Sequence, residues 1–462
     1  MTMNTLVTGP TFEEMLHPEK MDLATRAAAK KARVEDPLDP VNLFNVTWKD
    51  DDNEIYYHVL PKELTGVETP IVVLRSVHFP TRSHKVGATY SVLIEKELFG
   101  EVDPSIHTLV WPSTGNYGIG GAFVGCRMNF DSVVILPKEM SRERFEMIER
   151  LGACVIATPG SESNVKEIYD KAWELVRADP NVRVLNQFEV MGNYRFHYYV
   201  TGNTIAELAK VLQKQGVGNG RIAAFVSAMG SGGTIAAGDR LKQIWPDHKI
   251  VGLEPVQCQT LYSNGYGAHR IEGIGDKHVT WIHNVRNMDL LMCVDDMESV
   301  RGLALLTNPV GMETLIRRYG VPEADVEAMS QFFGISSVCN VLGAIKTAKF
   351  YKFGSDDVIV TICTDAIDRY HSVMDWLEKT EGKMDEALAV GRMESTFHGQ
   401  KLDYVLEGSH SVRERWHNLK YYTWVEQQGK TVEELDAQRD PGWWVEHQEL
   451  VTEIDRRITV AR

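Results

Sequence analysis

The chain is poor in cysteine, has no excess of basic charge and contains no long apolar run. Its six cysteines, at positions 126, 154, 258, 293, 339 and 363, are scattered and include no C-x-x-C pair. That spacing supports neither a disulfide framework nor a structural zinc site, so no metal is expected and a reducing cytoplasm suits the chain. A formal net charge of −15 disfavours nucleic acid and anionic membranes, since both call for a basic surface. No apolar run nears the roughly 20 residues that span a bilayer. The first ten residues show no basic segment followed by an apolar core, so no secretory leader is expected.

What remains is ordinary material for a large soluble protein. The chain has 462 residues, 43% hydrophobic and 24% charged, enough for two or three domains. Residues 1 to about 68 are polar and mixed, with a short helix expected over 25–33 and stopped by Pro37 and Pro40. From about 69 to 375, short apolar runs alternate with helical patterns. Strands are expected at 71–74, 107–111, 132–136, 153–157, 182–185, 222–226, 250–253 and 358–362. Helices are expected at 141–151, 165–176, 202–212, 233–244 and 338–351. Strands nearly continuous in Val, Ile, Leu and Ala, separated by helices of 10 to 15 residues, imply βαβ units and a mainly parallel sheet covered on both faces. Ligands of such sheets sit beyond the carboxyl ends of the strands. The stretch from 376 to 462 reads as polar and helical, with Trp416, Trp424, Trp443 and Trp444. No internal repeat stands out.

Three segments carry chemistry. Gly230, Ser231, Gly232, Gly233 and Thr234 follow an apolar strand and precede a helix. Glycines let backbone N–H groups converge, and the helix start adds a positive end, so a phosphate is the natural guest. The dinucleotide fingerprint fails because position 235 is Ile, and no Gly-Lys-Ser/Thr of a P-loop is present. The plain alternative is a tight βα turn without a ligand. Lys85 follows Pro80, Thr81, Arg82, Ser83 and His84, near an expected helix start at Ser83. A lysine forms Schiff bases with aldehydes when held away from water, whereas the plain alternative is a solvated surface lysine. Ser113, Thr114, Gly115, Asn116 and Tyr117 lie between a strand and a helix expected at 120–128. Their hydroxyls and amides can bind a carboxylate, or simply cap a turn. A lysine, a carboxylate grip and a phosphate cradle are together the parts needed to hold pyridoxal phosphate and act on an amino acid.

In that order the segments resemble the cysteine synthase and cystathionine β-synthase family of fold-type II pyridoxal-phosphate enzymes. Further stretches agree: Pro137 to Ala153, Asn186 to Phe188 with His197, Tyr198, Thr201 and Gly202, then Gly252 to Pro255, Ile271 to Gly275 and Gly334 to Ser337. The resemblance spans about 69 to 375. It implies an α/β fold of two three-layer αβα open twisted sheets, with the active site between them and a helical C-terminal extension. The implied domains are an N-terminal extension over 1–68 that packs on the core and a region 69–200 that includes a smaller, mobile substrate-gripping domain at about 105–195. A large cofactor-binding domain over 200–375 and the extension over 376–462 follow. The resemblance further implies Lys85 as the cofactor's covalent anchor, Asn116 at the ring oxygen, and Gly230, Ser231, Gly232, Gly233 and Thr234 at the phosphate. Ser113, Thr114, Gly115, Tyr117, Gln187 and Gly275 fall at the substrate.

The chain departs from the family at His84, where an apolar residue is usual, at Val86 and Gly87, and at Tyr117, which replaces a small residue. The spacing from Thr69 and Pro70 to Lys85 is short. Near the last strand Thr364 or Asp365 stands where the family has a serine, facing the pyridine nitrogen. A hydroxyl there leaves the nitrogen largely unprotonated, and a carboxylate would protonate it; the family norm points to Thr364.

The activity implied is β-elimination or β-replacement on a β-substituted L-amino acid, through an aminoacrylate, with Lys85 as the base at Cα. The alternatives are a serine or threonine dehydratase or another amino-acid ammonia-lyase and, in another class, a non-catalytic partner or scaffold subunit. His84, His197 and Tyr117 are candidates for contact with the leaving group or nucleophile, the alternative for each being packing. A small-molecule substrate, no nucleic acid, no membrane and, by family analogy, a homodimer complete the expectations.

Overall fold

The computed structural model describes residues 7–113, 115–161 and 164–462. Thr114 lies outside the described residues. Eleven strands form two sheets. They are β1 (Tyr57–Val59), β2 (Ile71–Arg75), β3 (Thr108–Pro112), β4 (Asp131–Pro137), β5 (Cys154–Thr158), β6 (Val182–Val184), β7 (Ile222–Ala228), β8 (Lys249–Pro255), β9 (Leu290–Val294), β10 (Val358–Cys363) and β11 (Val405–Glu407). The larger sheet has the order β1-β2-β10-β7-β8-β9-β11 and the smaller the order β5-β4-β3-β6. The smaller sheet is parallel throughout. The larger is parallel from β2 to β9 and gains one antiparallel strand at each edge.

Alternation along the strands explains the layering, because successive side chains point to opposite faces. In β2, Val72 and Leu74 enter one apolar cluster and Ile71 and Val73 the other. Val360 and Ile362 of β10 join the first, and Ile359 and Cys363 the second. Both faces are therefore covered, as a parallel sheet requires. The smaller sheet does the same, with Leu109 and Trp111 in the first cluster and Val110 packed with Ile135, Ile168 and Ala172 on the other face. Each buried Val or Leu contributes about 1.5–3 kcal/mol relative to an exposed one.

All eight expected strands form, within a residue or two at their ends. Three strands were not expected. β1 and β11 are three-residue antiparallel edges, and β9 is a buried apolar strand between β8 and β11. The helix expected at 233–244 starts later, at Ala236–Ile244, because Gly232 turns at φ +76°. The helix expected at 120–128 starts earlier, at Asn116–Arg127, directly after Gly115.

The flanking regions pack on this frame. Phe12, Met15, Leu43, Val46 and Trp48 from the N-terminal region share a cluster with Ile454 and Ile458 of the last helix, Pro441–Ala461. In the C-terminal region Trp416, Trp424 and Trp444 are buried against the loop that joins β8 to β9 and its neighbours. Among the described residues no helix is long and apolar enough to cross a membrane.

Candidate active site

The carboxyl ends of β2, β3, β7 and β10 deliver the segments singled out in the sequence, where a doubly wound sheet places its ligands. Lys85, Asn116, Tyr117, Gln187, Gly230, Ser231, Gly232, Thr234 and Thr364 line one narrow cavity. Ser113, Gly115, Gly233, Gly275 and Asp365 do not form its wall.

Lys85 opens the helix Lys85–Leu98, and its half-buried amine donates to Ser231 Oγ at 2.9 Å. Burial pushes that amine down to about 8, against the pull of Asp276. The same Ser231 hydroxyl accepts from Asn193 Nδ2 at 2.9 Å. The glycine turn is needed for sterics. A Cβ on Gly232 would lie 2.7 Å from both His283 Cβ and Thr280 Oγ1, at a φ of +76° that only glycine adopts freely. Gly230 passes equally close to the backbone of Gly273, and Gly233 packs on the Asn193 amide. The helix Ala236–Ile244 begins just beyond and points its positive end at the turn.

Ser113 turns inward. Its hydroxyl accepts from the Gly115 and Gly118 amides at 2.9 and 2.7 Å, shaping the turn before the helix Asn116–Arg127. Gly115 has φ +142°, and a Cβ there would meet Arg144 Nη1 at 2.2 Å. Tyr117 donates its hydroxyl to Leu185 O at 3.1 Å, and Gln187 donates to Pro112 O at 3.5 Å. Gly275 sits against His269 and Pro255, and its amide donates to Met229 O at 2.9 Å.

The structure separates Thr364 from Asp365. Thr364 faces the cavity and shares a 2.5 Å hydrogen bond with Ser336 Oγ. Asp365 is turned away and accepts from Asn116 Nδ2 at 2.6 Å and from Tyr370 OH at 2.7 Å. Asn116, expected at a cofactor oxygen, lines the cavity with its amide hydrogen-bonded to the Asp365 carboxylate. Of the two histidines, His84 meets Thr234 Oγ1 at 3.0 Å, and burial lowers it to about 3. His197 lies in the π-helix Phe196–Thr201, bonds to Thr201 Oγ1 at 3.0 Å, packs its ring 5.1 Å from that of His84 and is not part of the cavity wall.

Sequence reading missed three groups. Arg144 is buried and donates to Glu272 Oε2 at 2.6 Å, Asn116 Oδ1 at 3.1 Å and Tyr370 OH at 2.8 Å. Arg369 reaches Asn116 Oδ1 at 3.0 Å. Asp276 is buried with neither carboxylate oxygen hydrogen-bonded among the described residues, and burial raises it to about 7 against the attraction of Lys85. A buried carboxylate without donors is costly, and such perturbed groups gather at sites of function. The only hint in the sequence was Asp276 following the Ile271 to Gly275 stretch.

A lowered lysine amine, a glycine turn at a helix start, and hydroxyls at Ser231, Thr234 and Thr364 make a donor set that suits a phosphorylated aromatic aldehyde. The comparisons agree. Residues 60–365, well over half of the chain, match the family described as pyridoxal-phosphate dependent enzyme. The chain is 30% identical to a probable cysteine synthase of Bacillus subtilis (strain 168) over 298 residues, 64% of this chain and 86% of the relative. It is 28% identical to a cystathionine beta-synthase of Saccharomyces cerevisiae over 342 residues, 71% of this chain and 63% of that one. A cysteine synthase structure from Entamoeba histolytica superposes with TM-score 0.59 at 22% identity, covering 74% of this chain and 92% of that chain. An O-acetylserine dependent cystathionine beta-synthase from Helicobacter pylori gives TM-score 0.57 at 24% identity, over 68% and 94%. These structural likenesses speak for the fold. The chain therefore belongs to the pyridoxal-phosphate dependent enzyme family, is built on the cysteine synthase-like fold-type II scaffold, and takes pyridoxal phosphate as its cofactor.

Proposed function

We propose that the enzyme catalyses β-replacement or β-elimination on an L-amino acid that carries a leaving group at Cβ. The observation that carries this reading is the placement of the Lys85 amine, 2.9 Å from the glycine-turn hydroxyl Ser231 and in one cavity with Thr364. The cysteine synthase and cystathionine beta-synthase relatives support the same reaction class.

In this reading Lys85 anchors the cofactor, the 230–234 turn holds its phosphate, and Asn116 and Thr364 address its ring. The bound cofactor supplies an electron sink for the negative charge left when the Cα proton departs. The chain's own groups do the rest. The segment 113–117 and Gln187 hold the substrate carboxylate and so fix which Cα–H faces the lysine. Lys85, lowered to about 8, is a base near neutrality and takes the Cα proton. Asp276, buried beside it in charge if not in hydrogen bonding, serves as the second proton-handling group for the leaving group or the incoming nucleophile. Arg144 and Glu272 hold the smaller domain, at about 105–195, over the site and exclude water. The Thr364 hydroxyl, being uncharged, keeps the sink modest, which suits elimination at Cβ. By family analogy the enzyme acts in the cytoplasm as a homodimer.

The test is a product screen. Purified protein is given O-acetylserine, phosphoserine, serine, cysteine or threonine, each with and without sulfide or homocysteine. Products are read by mass spectrometry. A new β-substituted amino acid, or pyruvate from a β-substituted serine or cysteine, is expected, and Lys85→Ala abolishes both along with the cofactor's bound absorbance. Turnover confined to serine and threonine, giving keto acid and ammonia, would replace this reading with a dehydratase.

A further inference from the structure

Thr364 does not stand alone in the cavity wall. Its hydroxyl shares a 2.5 Å hydrogen bond with Ser336 Oγ, and both side chains line the cavity. Among the described residues neither hydroxyl has a second partner within the protein. Two hydroxyls carry two protons. One lies in the bond between them, so one is left for whatever fills the cavity. Which hydroxyl keeps it depends on the direction of that bond.

Ser336 and Ser337 lie in the first turn of the helix Ile335–Tyr351. They grip the chain just beyond β10 in different ways. Ser337 Oγ accepts from the Thr364 amide at 3.1 Å and from Gly334 N at 3.3 Å, which fixes the Thr364 backbone. One turn on, Asn340 donates to Ile362 O at 2.8 Å and accepts from Ala228 N at 2.7 Å, so the same helix ties the ends of β10 and β7 together. Ser336 is buried and holds the Thr364 side chain.

The helix sets the direction of the bond. Its start carries a partial positive charge. A hydroxyl seated in the first turn is most stable with its oxygen toward that charge and its proton away from it. For Ser336 the outward partner is Thr364, on another element. Ser336 therefore donates, Thr364 Oγ1 accepts, and the Thr364 proton is the one left for the cavity. The two O–H dipoles then run head to tail with the helix dipole, and each strengthens the next. No carboxylate reverses this arrangement. Asp365 is turned away and held by Asn116 and Tyr370, and the cavity wall has no acidic side chain among the described residues.

We propose that Ser336 is a positioning residue for the reaction: by donating to Thr364 it leaves the Thr364 proton for the ring nitrogen of the cofactor and holds that nitrogen unprotonated. A hydrogen bond donated to the neutral form of a base disfavours its charged form, and the positive helix start adds to the same effect. The ring then withdraws electrons weakly. The electron pair left at Cα forms the Cα–Cβ double bond, and the β-substituent departs with the pair of its own bond. The proposal rests on the reading that Thr364 addresses the ring, and it names what aims the hydroxyl.

Solid-state nitrogen NMR tests it on holoenzyme loaded with cofactor isotope-labelled at the ring nitrogen, since protonation moves a pyridine nitrogen signal widely. In wild type the signal is expected in the unprotonated range between about pH 6 and 9, and a protonated wild-type nitrogen overturns the proposal without any variant. In Ser336→Ala the midpoint of nitrogen protonation is expected to rise by about one pH unit or more. Ser336→Thr keeps the hydroxyl and is expected to match wild type. A Ser336→Ala protein that melts earlier but keeps the wild-type nitrogen signal at every pH would mean a mere strut at the helix start and would sink the idea. Thr364→Asp separates that failure from failure of the underlying reading, because a carboxylate facing the nitrogen protonates it. If Thr364→Asp does so while Ser336→Ala changes nothing, Thr364 faces the ring and the role of Ser336 falls. If neither variant moves the signal, Thr364 does not face the ring and both fall.

Discussion

Asn116 gives its side-chain amide to the Asp365 carboxylate at 2.6 Å, with both residues buried. The contact joins the first turn after β3 to the chain just beyond β10. Asn116 Oδ1 also accepts from Arg144 at 3.1 Å and from Arg369 at 3.0 Å, and Arg144 Nη2 lies 3.6 Å from Asp365. Two buried guanidiniums therefore depend on the nearby carboxylates Asp365, Glu272 and Asp368. Asp365→Asn removes the fully buried one of these carboxylates and leaves the guanidiniums to Glu272 and the partly exposed Asp368, and breaking a buried pair from one side costs about 3–5 kcal/mol. Asp368 pairs with Arg82 and Arg369 but is partly exposed, so Asp368→Asn is expected to cost less than about 1 kcal/mol. Urea denaturation of the two variants should separate them; equal losses would remove Asp365 from its role as counter-ion.

Glu272 accepts from Ser141 N at 3.2 Å, Ser141 Oγ at 2.9 Å and Arg144 Nε at 2.6 Å. Ser141 and Arg144 follow β4 of the smaller sheet, while Glu272 lies between β8 and β9 of the larger. The carboxylate thus latches one unit to the other. Glu272→Gln weakens charge-assisted hydrogen bonds that are each worth about 1.5–3 kcal/mol and so loosens the proposed closure of the smaller unit over the site. The expected result is a KM for the amino acid raised about tenfold or more with kcat within about twofold. A fall in kcat at constant KM would point instead to a role in the chemical step.

The sequence was most readable where one local pattern decided the structure. The run Ile222–Ala228, the glycine turn and the helix beyond it could be read directly, because apolar strand, missing side chains and helix start each have their own signature. β1 and β11 could not, because three-residue edge strands owe their existence to β2 and β9, not to their own composition. Arg144 was hidden for another reason. The helix Arg142–Arg150 is dense in charge and reads as a solvated face, yet packing against the larger unit buries Arg144 and Glu143. Asp276 and Lys420 look like loop and surface residues in one dimension, and only their burial in the fold shows otherwise.

Gly232→Ala carries a local test of the cradle. The left-handed backbone at φ +76° costs about 1–2 kcal/mol for a residue with a Cβ, and the added methyl meets His283 Cβ and Thr280 Oγ1 at 2.7 Å. Relief of that clash moves the 230–234 turn away from the 279–283 segment. Cofactor retention after dialysis is expected to fall at least about tenfold, with the sheets still folded by circular dichroism. Unchanged retention would show that the turn tolerates a side chain and is not shaped around a ligand.

Asp276 makes stability depend on pH in a direction that can be worked out. Burial raises its carboxyl from 3.8 to about 7, so between roughly pH 4 and 7 the folded protein binds more protons than the unfolded chain. Stability therefore falls as pH rises through that window, and the cost is complete above pH 7. A shift of about three units corresponds to something on the order of 4 kcal/mol. Lys85 behaves oppositely. Its amine is lowered to about 8, so its burial cost is present below pH 8 and is relieved as pH climbs from there toward the ordinary lysine range. Replacing Asp276 also removes the attraction that holds a proton on Lys85, which deepens the lysine's own burial cost and takes back part of the gain. With the cofactor removed, Asp276→Asn is expected to melt at higher temperature than wild type at pH 8, and the advantage is expected to shrink steadily toward pH 4. Melting curves across that range decide the matter: a difference that does not change with pH would mean that the carboxyl is hydrated or paired, and would withdraw it as a proton-handling group.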